Sequence, residues 1–185
     1  MRIVMTVLFL LVVLAPASAT EAGWALLRAG GHVVLLRNAI TPGGSGEPAN
    51  FDISKCETQR NLSDRGKQQA RKMGALFAAR AETVERVLSS RYCNALETAR
   101  IAFNDRIVEP FAPLDQPPPG TELSEEQKEA ILDQIRSFSG SGNLVLVTHQ
   151  EVIAALTGAN AREGEAIIVR PDDKGLHILG RIVFN

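Results

Sequence analysis

"HVVLLRNAITPGG", His32 to Gly44, sets four apolar residues, Val33-Val34-Leu35-Leu36, directly against a polar pair, Arg37-Asn38. A short apolar run closed by a turn signal, here Thr41-Pro42-Gly43-Gly44, reads as a buried strand ending in a polar loop. An arginine at the carboxyl end of a buried strand is placed to meet an anion. Asn38 poses the harder question, because a histidine in its place would make immediate chemical sense.

The same pattern recurs twice downstream. Arg86-Val87-Leu88-Ser89 runs into Ser90-Arg91, and Asn143-Leu144-Val145-Leu146-Val147 runs into Thr148-His149-Gln150. Between these strands the spacing predicts helices. Ser63 caps one, with Asp64 in its positive first turn, Leu62, Ala70, Met73 and Phe77 inward, and Lys67, Arg71 and Lys72 solvated. A second runs from Cys93 through Ala102, packed on Leu96, Ala99 and Phe103. Ser124-Glu125-Glu126-Gln127 is a capping box opening a third, through Ile131, Leu132, Ile135 and Phe138. Ala22 to Arg28 and Val152 to Leu156 are shorter helices, and Ile107-Val108 is a short strand. The loop from Thr41 to Asn50 reads as exposed and mobile, and Pro110 to Gly120 as a rigid extended connector. Ile167–Arg170 and Leu176–Phe184 flank a turn and form a hairpin.

Strands alternating with helices give a three-layer α/β/α sandwich around a mostly parallel central sheet. In such sheets ligands bind beyond the carboxyl ends of the strands. That rule brings Arg37-Asn38, Ser89-Ser90-Arg91 and Thr148-His149-Gln150 to one sheet edge.

The 185 residues are 45% hydrophobic with a net charge of −1, which fits one globular domain with a substantial core and excludes a basic nucleic-acid binder. The first residues read differently. Arg2, the apolar run Ile3 to Ala15 and the small-x-small triplet Ala17-Ser18-Ala19 form a signal peptide over residues 1–19. The domain then spans 20–185 and works outside the cytoplasm, in a periplasm or as a secreted protein. An uncleaved anchor is the alternative, although the run is short of the about 20 residues a bilayer needs. In an oxidising compartment Cys56 and Cys93 read as a disulfide, with a free, reactive Cys93 as the other reading. Two cysteines without clustered histidines make no zinc site, so neither metal nor cofactor is expected.

Four segments together resemble the histidine phosphatase superfamily, the phosphoglycerate mutase-like group, in its small secreted bacterial members. "VVLLRNAITPGG" resembles its strand and Arg-His-Gly/Ala loop; "TQRNLSDRGKQQARKMGALF", Thr58 to Phe77, resembles its "NLSxxGxxQAxxxG" helix start. "LSSRYCNALETARIAF", Leu88 to Phe103, resembles "SSPLxRAxxTA", and "GNLVLVTHQEVIAALTG", Gly142 to Gly158, its second histidine strand. The resemblance implies phosphoryl transfer through a phosphohistidine. One histidine attacks phosphorus, two arginines and a second histidine hold the oxygens, and a carboxylic acid protonates the leaving group.

Carried over by residue, Arg37 matches the first arginine and His149 the second histidine. Asn38 stands at the nucleophile's position and Asn94 at the second arginine's. A carboxamide nitrogen has given its lone pair to the carbonyl and serves as a donor, so Asn38 cannot form the covalent intermediate. Asn94 also lacks the charge and forked donors of an arginine; Arg91 is a possible substitute or a solvated surface residue. Gln150, directly after the second histidine, is no acid. Glu109 and Asp115 are candidate acids, or else ordinary loop carboxylates. Thr41 and Gln150 are expected to line the pocket beside Arg37, Asn94 and His149, while His32 and His177 read as structural.

Two functions follow as expectations. One is a pseudoenzyme whose pocket binds a phosphate monoester or similar oxyanion without cleaving it. The other is a hydrolase in which water attacks directly, with His149 or a carboxylate as base.

Overall fold

The computed structural model describes residues 17–43, 46–173 and 175–184. Most of the expected signal peptide lies outside the described residues. Its triplet Ala17-Ser18-Ala19 forms the first turn of α1 (Ala17–Ala29), so this helix starts earlier than its apolar residues alone predict.

The strands are β1 (Val33–Arg37), β2 (Val84–Ser89), β3 (Val108–Pro110), β4 (Asn143–Thr148), β5 (Ala166–Asp172) and β6 (Gly175–Ile182). They form one sheet in the order β3-β2-β4-β1-β5-β6. β1 and β2 both pair parallel with β4, and β3 pairs parallel with β2; β5 runs against both β1 and β6. Every residue of β4 is buried, as are the four apolar residues of β1. Continuous apolar runs of this kind belong in a sheet covered on both faces.

The covering helices divide between the faces. Val34 and Leu36 pack with α1, α2 (Asp64–Arg80) and α3 (Cys93–Ala102), while Val33 and Leu35 pack with α4 (Glu125–Ser137) and α5 (Gln150–Thr157). Trp24 anchors the first layer, edge-on to Phe77 and Phe184, with the Arg80 guanidinium 5.0 Å over its ring. The expected caps are present: Ser63 Oγ accepts from Gly66 N–H, and Ser124 Oγ from Gln127 N–H.

Four expectations need correction. The proline connector is not extended throughout: Pro110 closes edge strand β3, and Ala112–Leu114 makes a 3-10 turn that buries Leu114. Proline's fixed φ suits a first helical turn, which is why the chain can coil there. In the loop starting at Thr41, Thr41 itself is buried, because its side chain is hydrogen-bonded on the sheet edge. Leu96 is only half-buried; the covered face of α3 is Ala95, Thr98, Ala99 and Ala102. His177 is exposed on β6 rather than held in the core.

Among the glycines required by close approach, Gly66 bears on the site. An added Cβ on Gly66 in α2 would collide with the Ile40 carbonyl oxygen, which accepts from Ser63 N–H and Ser63 Oγ at 3.0 Å each. The loop after β1 therefore lies directly on the first turn of α2. A disulfide, Cys56–Cys93, with a Cα separation of 5.6 Å, ties the segment before α2 to the start of α3.

Gly66→Ala should lower stability by about 1–3 kcal/mol through forced displacement of this loop. Replacing Cys56 and Cys93 together by serine should cost about 3–4 kcal/mol on the chain-entropy account. Urea unfolding of the oxidised protein and both variants measures each loss; midpoints unchanged from the wild type would refute them.

Candidate functional site

The site is built at the carboxyl ends of the two central parallel strands. Arg37 is in register with Thr148, and Asn38 N–H donates to the Thr148 carbonyl at 2.9 Å, extending the pairing past β1. The following loop is held from several sides. The Asn38 carbonyl accepts from Gly164 N–H, Ala39 N–H donates to Thr98 Oγ1 on α3, and Ile40 N–H donates to Gln69 Oε1 on α2. His149 follows β4 directly, and Asn94 lies in the first turn of α3. Arg37, Asn38, Asn94 and His149, from segments far apart in the chain, line one cavity of about 490 Å³. Thr41 and Gln150 line it too.

His149 is buried and its protonation state follows from its partners. Ser90 Oγ donates to the Asp115 carboxylate at 2.8 Å, so the 2.9 Å contact between His149 Nε2 and Ser90 Oγ requires the histidine to donate. Burial, reinforced by the neighbouring Arg37 charge, pushes His149 down to a pKa of about 3. It is therefore a neutral imidazole at pH 7, with its proton on Nε2. The Tyr92 ring meets it edge-on at 5.0 Å.

The two acid candidates part company. Asp115 touches His149 only through Ser90; its carboxylate is held by Arg91, through the backbone N–H and the guanidinium at 2.7 Å each. Arg91 is thus committed to Asp115 and is not among the residues lining the cavity. Glu109 makes a two-pronged ion pair with Arg86 and does not line the cavity either. Hydrogen bonding to Arg86 holds the Glu109 carboxyl below the usual carboxylate range, the wrong direction for a proton donor.

Thr41 and Gln150 are present on the cavity wall with their groups engaged. Thr41 donates to Glu163 Oε1 from both its N–H, at 3.1 Å, and its hydroxyl, at 2.9 Å. Gln150 donates to Asn160 and accepts from Ala161 N–H at 2.8 Å, fixing the turn whose Ala161 carbonyl takes Arg37 Nη1 at 2.7 Å. Asn38 Nδ2 donates to the Ala39 carbonyl at 3.0 Å, and Asn94 Nδ2 to the Arg60 carbonyl at 3.1 Å.

Sequence reading missed Arg60, Glu47, Glu151 and Glu163, which also line the cavity. Arg60 lies inside the segment read for its helix cap, and only its half-burial beside Asn94 singles it out. Among the described residues, the buried side-chain N and O atoms without a hydrogen-bond partner are Arg37 Nε, Arg60 Nε and Asn94 Oδ1. Each such atom costs about 1–3 kcal/mol, and all three belong to this one cavity wall. Among the described residues no cluster of three or more His, Cys, Asp or Glu is placed to hold a metal ion.

Three solved structures share this architecture. A phosphoserine phosphatase variant from Entamoeba histolytica, in complex with phosphoserine, superposes with a TM-score of 0.63 at 13% identity, covering 83% of this chain and 98% of that one. The protein histidine phosphatase SixA complexed with tungstate gives 0.58 at 15% identity, covering 82% and 96%. A mycobacterial glucosyl-3-phosphoglycerate phosphatase with VO3 gives 0.60 at 15% identity, covering 80% and 96%. No family model and no curated protein matches the sequence. At these identities the likeness establishes the fold: a mixed α/β sandwich of the phosphoglycerate mutase-like, histidine phosphatase type.

The neutral burial of His149 has a consequence for stability. The unfolded chain takes up a proton near the ordinary value of 6.5, whereas the folded chain resists until about 3. Stability should therefore fall as pH drops through that window, by up to about 1.4 kcal/mol per pH unit from this group. Urea unfolding between pH 7 and 4 should show a shallower fall in His149→Gln; identical slopes would refute the assignment.

Proposed function

We propose that this chain is an exported, degenerate member of the histidine phosphatase superfamily that binds a phosphate monoester or similar oxyanion without cleaving it. The observation that carries the reading is Asn38. It occupies the strand-end position beside Arg37 in the cavity, and its amide nitrogen is a donor already turned to the Ala39 carbonyl. No lone pair is available there to attack phosphorus.

The ligand class rests on the donors and on the neighbours. Arg37 and Arg60 bring two guanidinium groups to a cavity large enough for a phosphate with an organic substituent. The structural neighbours include proteins solved with phosphoserine, tungstate and VO3. Glu47, Glu151 and Glu163 on the same wall weaken the net positive field, which favours a moderate affinity over the tight grip of an all-cationic bowl. Hydrolysis by direct attack of water finds little support. His149, held neutral with a pKa of about 3, is a poor base, and neither Asp115 nor Glu109 lines the cavity.

Export is supported by the signal-like start of the sequence and by the Cys56–Cys93 disulfide, a bond that persists in oxidising compartments. Among the described residues no helix is long and apolar enough to cross a membrane.

The test is turnover. The protein lacking residues 1–19 should leave p-nitrophenyl phosphate and sugar phosphates intact, and the double variant Asn38→His with Asn94→Arg should hydrolyse them measurably. Turnover by the unaltered protein that is abolished in His149→Ala would overturn the proposal. Inorganic phosphate should bind in calorimetry, with about 10–100-fold weaker affinity in Arg37→Ala, as expected for losing a charge-assisted hydrogen-bonding partner. Unchanged affinity in that variant would remove Arg37 from the site.

A further inference from the structure

The arginines of this protein separate by how their charge is met. Arg80, Arg86 and Arg181 are half-buried, and each is paired with a glutamate: Glu21, Glu109 and Glu165 respectively. Arg37 and Arg60 are also half-buried, yet among the described residues neither guanidinium forms an ion pair with a carboxylate, and both line the cavity. Arg60 Nη2 is taken by neutral acceptors, Thr41 Oγ1 at 2.7 Å and the Pro42 carbonyl at 2.9 Å, and its Nε is buried without a partner. A guanidinium withdrawn from water without a counter-charge is costly unless a ligand supplies one.

The main chain at Arg60 is held firmly. Its N–H donates to Glu47 Oε2 at 2.7 Å, and its carbonyl accepts from Asn94 Nδ2 at 3.1 Å. The preceding residue, Gln59, is buried; its Oε1 accepts from Cys93 N–H at 2.9 Å, beside the Cys56–Cys93 disulfide. The segment carrying Arg60 is thus riveted to the first turn of α3. Asn94 cannot itself bring a positive charge to the cavity, but its amide fixes the residue that does.

We infer that Arg60 is the second guanidinium of the oxyanion site, pairing with Arg37 across the cavity, and that Asn94 positions it through the Arg60 carbonyl. This rests on the oxyanion-receptor reading above and names a residue that carries its charge recognition. The ligand it selects is a multiply charged oxyanion, with phosphate as the simplest case. Arg60 also bonds Thr41, whose hydroxyl passes its hydrogen to Glu163, so an anion drawing Arg60 inward competes with a chain of contacts along the wall.

Calorimetry with inorganic phosphate on the oxidised protein tests this, using Arg60→Gln, Arg60→Lys and Arg37→Ala. Arg60→Gln should weaken phosphate at least tenfold and flatten the dependence of affinity on ionic strength, since one fewer charge is available to be screened. Arg60→Lys should recover part of the affinity and all of the salt dependence, a pattern that loss of the Thr41 and Pro42 hydrogen bonds alone would not produce. Thermal unfolding confirms that each variant is folded, and Arg60→Lys carries the test if Arg60→Gln is not. Wild-type affinity and salt dependence in Arg60→Gln, with binding lost in Arg37→Ala, would overturn this inference and leave the receptor reading standing. A wild-type protein that binds no phosphate would overturn both.

Discussion

The parallel pairing of β1 with β4 is the constraint on which everything else depends. Arg37 opposite Thr148, with the Asn38 N–H carried on to the Thr148 carbonyl, sets the residues after both strands side by side. Both strands are buried on two faces, so their register is fixed by the whole core. Each polar group that follows them emerges at a defined place on the sheet edge. Two such strands ending together bring Arg37, Asn38 and His149 to one cavity.

What the site then does is decided by lone pairs and charges. On the proposed reading, a neutral imidazole at His149, an amide at Asn38 and the guanidinium groups of Arg37 and Arg60 hold an anion against a wall that also carries Glu47, Glu151 and Glu163. The Asn38 amide nitrogen and the guanidinium groups offer phosphorus no lone pair, and His149 Nε2 carries its proton and donates it to Ser90, so that nitrogen does not attack. The Ser90–Asp115–Arg91 chain behind His149 is a support that fixes the imidazole's tautomer, and it spends Asp115 in doing so.

Much of this was legible in the sequence because it is local. The apolar runs of β1 and β4, the Ser63 and Ser124 caps and the polar residues at the strand ends are each visible within a few positions, and Arg37, Asn38 and His149 follow from them, whereas Asn94 came only through the family resemblance. The hairpin was legible, but its place beside β1 was not, since β5 pairs antiparallel with a strand more than a hundred residues earlier. Thr41 and Gln150 lie on the wall, but their engaged groups were invisible, because the partners Glu163, Asn160 and Ala161 come from a distant loop. Arg60 was hidden for the same reason. A lone arginine ahead of a helix cap looks like a solvated charge until its neighbours are known. Pro110 to Gly120 misled through composition: five of its eleven residues are proline, and the burial demanded by Leu114 coiled it into a turn.

The central claim is that this cavity receives an oxyanion and forms no bond to it. Intact-protein mass spectrometry after incubation with a reactive phosphoryl donor, such as acetyl phosphate, under conditions that preserve phosphohistidine, examines it most directly. An unchanged mass is expected. A gain of one phosphoryl group that disappears in His149→Gln would show a covalent intermediate on the one imidazole in the cavity and contradict the account.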